Sequence, residues 1–534
     1  MSGSLRWRPV IPLVGVLWAG QILIFVYYLS GVLPGGGLPF DDAWIHLTFA
    51  RHLAEHGEIS FNLGQWSGGT SSILWVLGLA LGYRVSGHML ITAYALGAFS
   101  YLLAATGLLA LLISVFGQAG EGRQSALVGA MGFAITGFAP YLALSGMDTL
   151  LFLALGLWTL VAAVAGRRGL CGCLLAMLII TRIEGLALAL VLALVILFKE
   201  RDRIRPLVEM ASAPALLLAA YFLFNVLVTG DALPTTMAGR KWLWGLPEQL
   251  WAFSWAGTVR FSREWTYLIN RFVLAGSPGP LRVLYAALIA IGAARLAQRG
   301  LGDTREHRGL ALLVGWGLMH NLVYLLLAPI ASWRHQAPNL LLLPALAAAG
   351  SLGLTRVFRL PRGRRWSVVL SGLMALGCLV PGMVGYRSAF RDHVSHINQV
   401  HVAAGRWIDG SLPEDAIVAA FDIGAVKFFG CRETADLGGL TEAGFATDYL
   451  YPQRASEYLH QRGATHLAMP EPDRPGQTDI GARMGLTEER MEAQLRPLAV
   501  FQVSPYIRDP YTTVPYQFYP AYRKMTIYEI QHRH

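Results

Sequence analysis

Apolar runs of about 20 residues recur through the first 386 positions of this chain, separated by short arginine-rich links, and that alternation limits the possible folds more than any other feature. A spanning helix needs roughly 17–25 apolar residues. On that basis spans are expected near 10–33, 87–116, 125–144, 148–165, 207–228, 266–297, 309–330, 337–355 and 366–386. Composition agrees: 54% of residues are hydrophobic and 14% charged, whereas a soluble chain carries roughly a quarter charged residues. The chain reads as an all-α polytopic membrane protein seated in a lipid bilayer. Its first run, Val10 to Val32, follows Arg6 and Arg8 and lacks a small-residue cleavage site. It also exceeds the roughly 7–15-residue core of a signal peptide, so it is expected to stay as a helix.

The basic links set the topology. Arg167-Arg168, the Lys199 to Arg205 run, Arg299 to Arg308 and Arg356 to Arg365 should all be cytoplasmic. The apolar stretch Gly169 to Phe198 lies between two of them and is interrupted by Thr181-Arg182-Ile183-Glu184-Gly185, so it must cross twice or not at all. Two short helices meeting near the outer leaflet, with the polar cluster at their tip, satisfy this, because irregular backbone is tolerated where it lines a cavity. The count becomes eleven spans, with the N-terminus cytoplasmic and the C-terminus outside. Asp41-Asp42, Asp148, Arg182 with Glu184, Asp231 to Lys241, and Arg334 with His335 then share the outer side. The apolar segment Thr70 to Gly82 is too short to cross and is expected as a re-entrant or interfacial element closing the first outer loop, 34–70. A formal charge of +10 does not imply nucleic acid, since no basic-aromatic run accompanies it.

After Tyr386 the composition turns polar, which divides a transmembrane domain, 1–386, from a small extracytoplasmic α/β domain, 387–534. Short β-rich runs at Ala416 to Ala420, Thr465 to Met469 and Met525 to Ile530 follow a helical pattern through Val394, Ile397, Val400, Ala404 and Trp407. Cys171, Cys173 and Cys378 fall in apolar segments and Cys431 stands alone in the tail, so no disulfide is expected.

Asp41 and Asp42 open an amphipathic pattern, with Ile45, Phe49 and Leu53 at helical spacing and Gly57 as its stop. A helix lying on the membrane surface is expected. One aspartate could cap it. A cap needs one carboxylate, and consecutive helical residues do not share a face, so the second acid is expected to point into a cavity.

The run Asp41-Asp42-Ala43-Trp44-Ile45, with Phe61-Asn62-Leu63-Gly64 and Gly69-Thr70-Ser71, resembles the first outer loop of the GT-C glycosyltransferases, particularly the mycobacterial terminal arabinofuranosyltransferases. Ser145-Gly146-Met147-Asp148-Thr149, Thr181-Arg182-Ile183-Glu184-Gly185 and Gly230-Asp231-Ala232-Leu233-Pro234-Thr235-Thr236 resemble the same group, as do Asp422-Ile423-Gly424-Ala425 and Asp436-Leu437-Gly438-Gly439-Leu440 in the tail. The family usually has Glu at Asp148, Pro at Ile183 and Asn-Thr at Thr235-Thr236, which marks a divergent member. The resemblance implies a glycosyltransferase of the bacterial plasma membrane. Its donor would be a sugar on a polyprenyl phosphate, and its acceptor an envelope glycan, lipid or protein on the outer face.

A glycosyl phosphate carries a good leaving group, so such an enzyme chiefly needs a base for the acceptor hydroxyl and cations for the departing phosphate. One of Asp41 and Asp42 would be the base, with Asp42 the first choice. Arg182, Arg240, Lys241 and Arg334 are candidates for the phosphate, with His335 beside them; basic side chains at helix ends also snorkel to headgroups. Arg182 and Glu184 fit either a structural ion pair or ligand contact. Asp148 fits a helix cap or an acceptor contact. Asp41 and Asp42 could also hold Mg²⁺, Mn²⁺ or Ca²⁺. His393 and His396 lack further ligands in pattern and read as surface residues rather than a zinc site. No nucleotide-binding glycine-rich loop is present. The competing classes are a transporter or flippase of lipid-linked sugars, against which the two halves show no repeat, and an inactive assembly partner.

Overall fold

The computed structural model describes residues 8–532 except 118–119, 201, 231–235, 244, 246–254, 269–278, 299–304, 328–333, 358–363, 443, 473–477, 492 and 504–521. Asp231 to Thr235 and parts of the links at 299–308 and 356–365 therefore lie outside the described residues.

Six described helices are long and apolar enough to cross a membrane: Ile11–Leu29, Met89–Phe116, Ile204–Val228, Gly279–Gln298, Arg308–Leu327 and Ala337–Leu354. Four more apolar helices are shorter: Ile73–Ser86, Thr149–Val164, Arg168–Thr181 and Ile183–Phe198. The expected run 125–144 is instead divided into Gly120–Ile135 and Phe138–Ala143. Pro140 accounts for the break, because its ring collides with the carbonyl four residues back, at Thr136, in a continuous helix. Of the expected run 266–297, residues 266–268 end the helix Trp255–Leu268 and Gly279 opens the helix Gly279–Gln298, with Pro280 in its first turn, where a missing N–H costs least; residues 269–278 lie outside the described residues.

The stretch 169–198 folds back on itself. Arg168, opening its first half, pairs with Glu200 just past its second half at 2.5 Å. The 3-10 turn Ile183–Gly185 is therefore at the far tip, and both basic flanks share one end of the bundle, as the parity of the links requires.

The helix Arg364–Ile397 runs unbroken past the composition change at 386, then continues through a π-helical turn, Asn398–Val402, into Ala403–Ser411. Beyond it lies a five-stranded sheet. Numbering strands along the chain, β1 (Ser60–Asn62) and β2 (Gln65–Trp66) form a ribbon in the first loop, while β3 (Ile417–Ala420), β4 (Glu433–Asp436), β5 (His466–Glu471), β6 (Ala493–Gln502) and β7 (Lys524–His532) form the tail sheet in the order β4-β3-β5-β7-β6. β4, β3 and β5 are parallel, with Val418 opposite both Thr434 and His466, and β7 and β6 are antiparallel.

The helix Asp41–His56 does not lie on a surface with one face exposed. Ten of its 16 residues are buried, on every side, because it is sandwiched between Ile73–Ser86 and the tail helix Ile423–Gly430. Trp44 packs on Phe428 and Phe429 with ring centroids 5.0 and 4.8 Å away. Arg51 donates to the carbonyl of Phe428.

Asn62 joins the same two regions. Its Oδ1 accepts from Lys427 Nζ and from the Thr434 N–H, and its Nδ2 donates to the Thr434 carbonyl, each at 2.9 Å. The Phe61-Asn62 motif is thus a docking element. Asn62→Ala would leave a buried ammonium and a strand edge short of partners, costing about 2–3 kcal/mol; the thermal midpoint of the detergent-solubilised protein should fall, and an unchanged midpoint would refute this role.

Candidate active site

The first loop delivers two neighbouring carboxylates to different partners. Phe40, in extended backbone, occupies the N-cap of Asp41–His56, and no side chain caps that helix. Asp41 caps another helix: its carboxylate accepts from the N–H groups of Gly424 and Ala425 at 2.7 and 2.8 Å, the second and third residues of Ile423–Gly430. These are the donors an N-cap side chain ordinarily takes. Asp422, the residue at that N-cap, makes no such bond and pairs with His401 Nε2 at 3.2 Å. A β-carbon at Gly424 would run into the Asp41 carbonyl, so glycine is what permits the approach. Burial pushes the Asp41 carboxyl up to about 6, with His401 and the two N–H groups opposing the rise and Asp422 adding to it.

Asp42 turns to the bundle. Arg334 Nη2 donates to its Oδ2 at 2.5 Å, and the side chain keeps 36% of its surface exposed. Burial alone would raise this carboxyl, but the charge and hydrogen bond of Arg334 hold it below the ordinary range. Arg334 also lies over the Phe40 ring, 5.2 Å from its centroid.

Arg182, at the hairpin tip, sits between Asp148 and Glu184, 3.1 Å from each. Tyr324 donates to the same Glu184 oxygen at 2.5 Å. Asp148 stands before Thr149–Val164 without capping it, so the capping explanation fails; its carboxylate is turned to Arg182. A guanidinium only 10% exposed needs such partners, since an unpaired charge there would be prohibitive.

These groups meet around one cavity of about 220 Å³, lined by Asp41, Asp42, Asp148, Arg182, Arg240, Arg334 and His335. Glu184 and Lys241 are not in its wall: Glu184 braces Arg182 from behind, and Lys241 is buried, which lowers its pKa. Arg240 makes no ion pair among the described residues. The cavity also draws in His46, His396, His401, Asp422 and Tyr522, none of which the sequence reading placed in the site. His46 had a usable signal, four residues after Asp42 and so on the same helical face. His401 had none; Asp422 stands in the Asp422-Ile423-Gly424-Ala425 motif, but its pairing with His401 is made by the tail fold.

His393 and His396 are buried rather than on the surface. His393 hydrogen-bonds Tyr141, and His396 the carbonyl of Tyr522. Asp41 and Asp42 turn to separate partners, and among the described residues no group of three or more His, Cys, Asp or Glu side chains is placed to hold a metal ion.

Solved structures that match nearly the whole chain include two of one protein. ArnT from Cupriavidus metallidurans bound to undecaprenyl phosphate shares 13% identity over 97% of each chain with a TM-score of 0.56; its apo form shares 14% over 97% of this chain and 98% of that one, also at 0.56. The chain has the fold of these ArnT structures. At this identity the likeness is one of fold, and with the apolar helices it makes the chain an integral membrane protein. A family model described as a domain of unknown function, DUF8728, matches residues 391–526, the tail of the chain. No curated protein matches.

Asp41 gives this docked architecture a pH dependence. Its folded pKa lies above the unfolded value, so proton binding favours the folded state, and the contribution is full below about pH 4 and lost as pH rises through about 6. The stability advantage of wild type over Asp41→Asn should shrink between those limits. Thermal unfolding in detergent across that range measures it; a difference that widens with pH would be the contrary result.

Proposed function

We propose that the chain transfers a sugar from a polyprenyl-phosphate-linked donor to a hydroxyl of an envelope glycan, lipid or protein, at the extracytoplasmic face of the bacterial plasma membrane. The observation that carries this reading is the cavity at the end of an apolar bundle where a carboxylate, Asp42, is paired with a cation, Arg334. The ArnT structure of the same fold is bound to undecaprenyl phosphate, a ligand whose apolar chain suits a lipid-embedded bundle and whose head suits cations.

Arg334 is neutralised by Asp42 and Arg182 by Asp148 and Glu184. The donor phosphate draws on Arg240, which has no ion pair among the described residues, and on Arg334. As Arg334 turns to the phosphate, Asp42 loses the interaction that depresses its pKa and becomes the stronger base. It then takes the acceptor hydroxyl proton as the oxygen attacks the anomeric carbon and the glycosyl–phosphate bond breaks. The products are the new glycoside, inverted at that carbon, and polyprenyl phosphate, whose charge Arg334 and Arg240 stabilise. Arg182, fixed by two carboxylates, shapes the wall.

Deleting the gene should cause the donor to accumulate, with mass spectrometry of extracted polyprenyl-phosphate sugars naming both sugar and carrier. Wild type should reverse this. Asp42→Asn should lower transfer by about 10²–10⁴-fold while undecaprenyl phosphate still binds, and Arg334→Gln should weaken that binding about tenfold or more. Full turnover by Asp42→Asn would exclude it as the base.

A further inference from the structure

The tail, whose residues 391–526 match a domain of unknown function, carries a built site of its own on the cavity. His401 lies in the π-helical turn Asn398–Val402, a distortion frequent at functional positions. It is 6% exposed, lines the cavity, and is held through Nε2 by Asp422 at 3.2 Å. Its other ring nitrogen, Nδ1, is buried without a hydrogen-bond partner among the described residues. Leaving such an atom unsatisfied costs about 1–3 kcal/mol, which a ligand would recover. His46 and His335 also line the cavity with an unpartnered Nδ1, but His401 is the one of these three that a carboxylate orients.

The sheet topology points to the same place. β3 is flanked by β4 on one side and β5 on the other, so the chain reverses its direction of travel across the sheet there. Open α/β sheets bind ligands at the carboxyl ends of their strands beside such a switch point. Phe421, Asp422 and Ile423 follow β3 and Gly438 follows β4, and all four line the cavity.

We propose that His401, oriented by Asp422, is the acceptor-positioning group of this enzyme, hydrogen-bonding a hydroxyl of the incoming acceptor from the tail side of the cavity. This rests on the transferase reading above. The charge distribution assigns the ligand: Arg334 and Arg240 supply the cations for a phosphate, whereas the charges of Asp422 and Asp41 both act on His401 and would repel one. A polyhydroxylated acceptor meets no such penalty. Asp422 is available for this task because Asp41 has taken over the cap of its helix.

The test uses full-length protein in lipid vesicles, polyprenyl-phosphate sugars extracted from the deletion strain as donor, and increasing amounts of that strain's envelope material as acceptor. His401→Gln and Asp422→Asn should raise the apparent acceptor KM about tenfold and change kcat by less, with undecaprenyl phosphate binding, followed by tryptophan fluorescence, unchanged. An acceptor KM equal to wild type in both variants would overturn the proposal while leaving the transferase reading intact. So would loss of undecaprenyl phosphate binding in a variant that unfolds at the wild-type temperature. If His401→Gln fails to fold, Asp422→Asn alone decides, since it keeps the imidazole in place. Absence of transfer by wild type itself would instead sink the transferase reading.

Discussion

The cap that Asp41 places on the helix Ile423–Gly430 is the interaction on which the rest of the site depends. A helix N-terminus carries unsatisfied N–H groups and a partial positive charge, and here the carboxylate that meets them comes from a loop almost 400 residues earlier. That bond sets the spacing between the first loop and the tail. It also turns Asp42, the next residue on a helix and so on a different face, toward the bundle and Arg334. One local fact, that adjacent helical residues diverge, thus splits the aspartate pair between the tail helix and Arg334.

Around that junction the charges are arranged in compensating sets. Arg182 is held by two carboxylates, Arg334 by one, and Lys427 is kept buried by Asn62 and the Arg432 carbonyl, although burial draws its pKa down to about 8. Asp436 performs the analogous service for the backbone, accepting from the N–H groups of Gly438, Leu440 and Thr441 and so fixing the loop whose Gly438 and Leu440 line the cavity. The conspicuous glycine- and aspartate-bearing motifs of the tail are therefore mostly structural. They hold backbone near the cavity rather than supplying reacting groups.

Much of this was legible in the linear chain. The folded-back hairpin followed from charge alone, because two basic flanks cannot lie on opposite sides of a membrane. The co-location of Asp42, Asp148, Arg182, Arg240 and Arg334 followed from the same parity. Less legible was the break at Pro140, where apolar composition continued through a backbone that could not. The amphipathic pattern of Asp41–His56 was read as a membrane-surface helix, but periodicity reports an apolar stripe without saying what covers the other side. The tail helix Ile423–Gly430 covers it.

The sequence by itself determined the class of the protein, because runs of apolar residues in lipid have few ways to satisfy their backbone, and it determined which charged residues gather at one end. Only the tertiary structure decided what each of them does. Asp41 and Asp42 are chemically identical neighbours, and nothing local marks one as a cap and the other as the partner of Arg334. His401 and Asp422 carry no shared motif, and their pairing exists because a π-helical turn and the end of β3 converge. Partner choice for a buried charge is set by which opposite group the fold brings within hydrogen-bond distance, and that is a property of packing rather than of spacing along the chain.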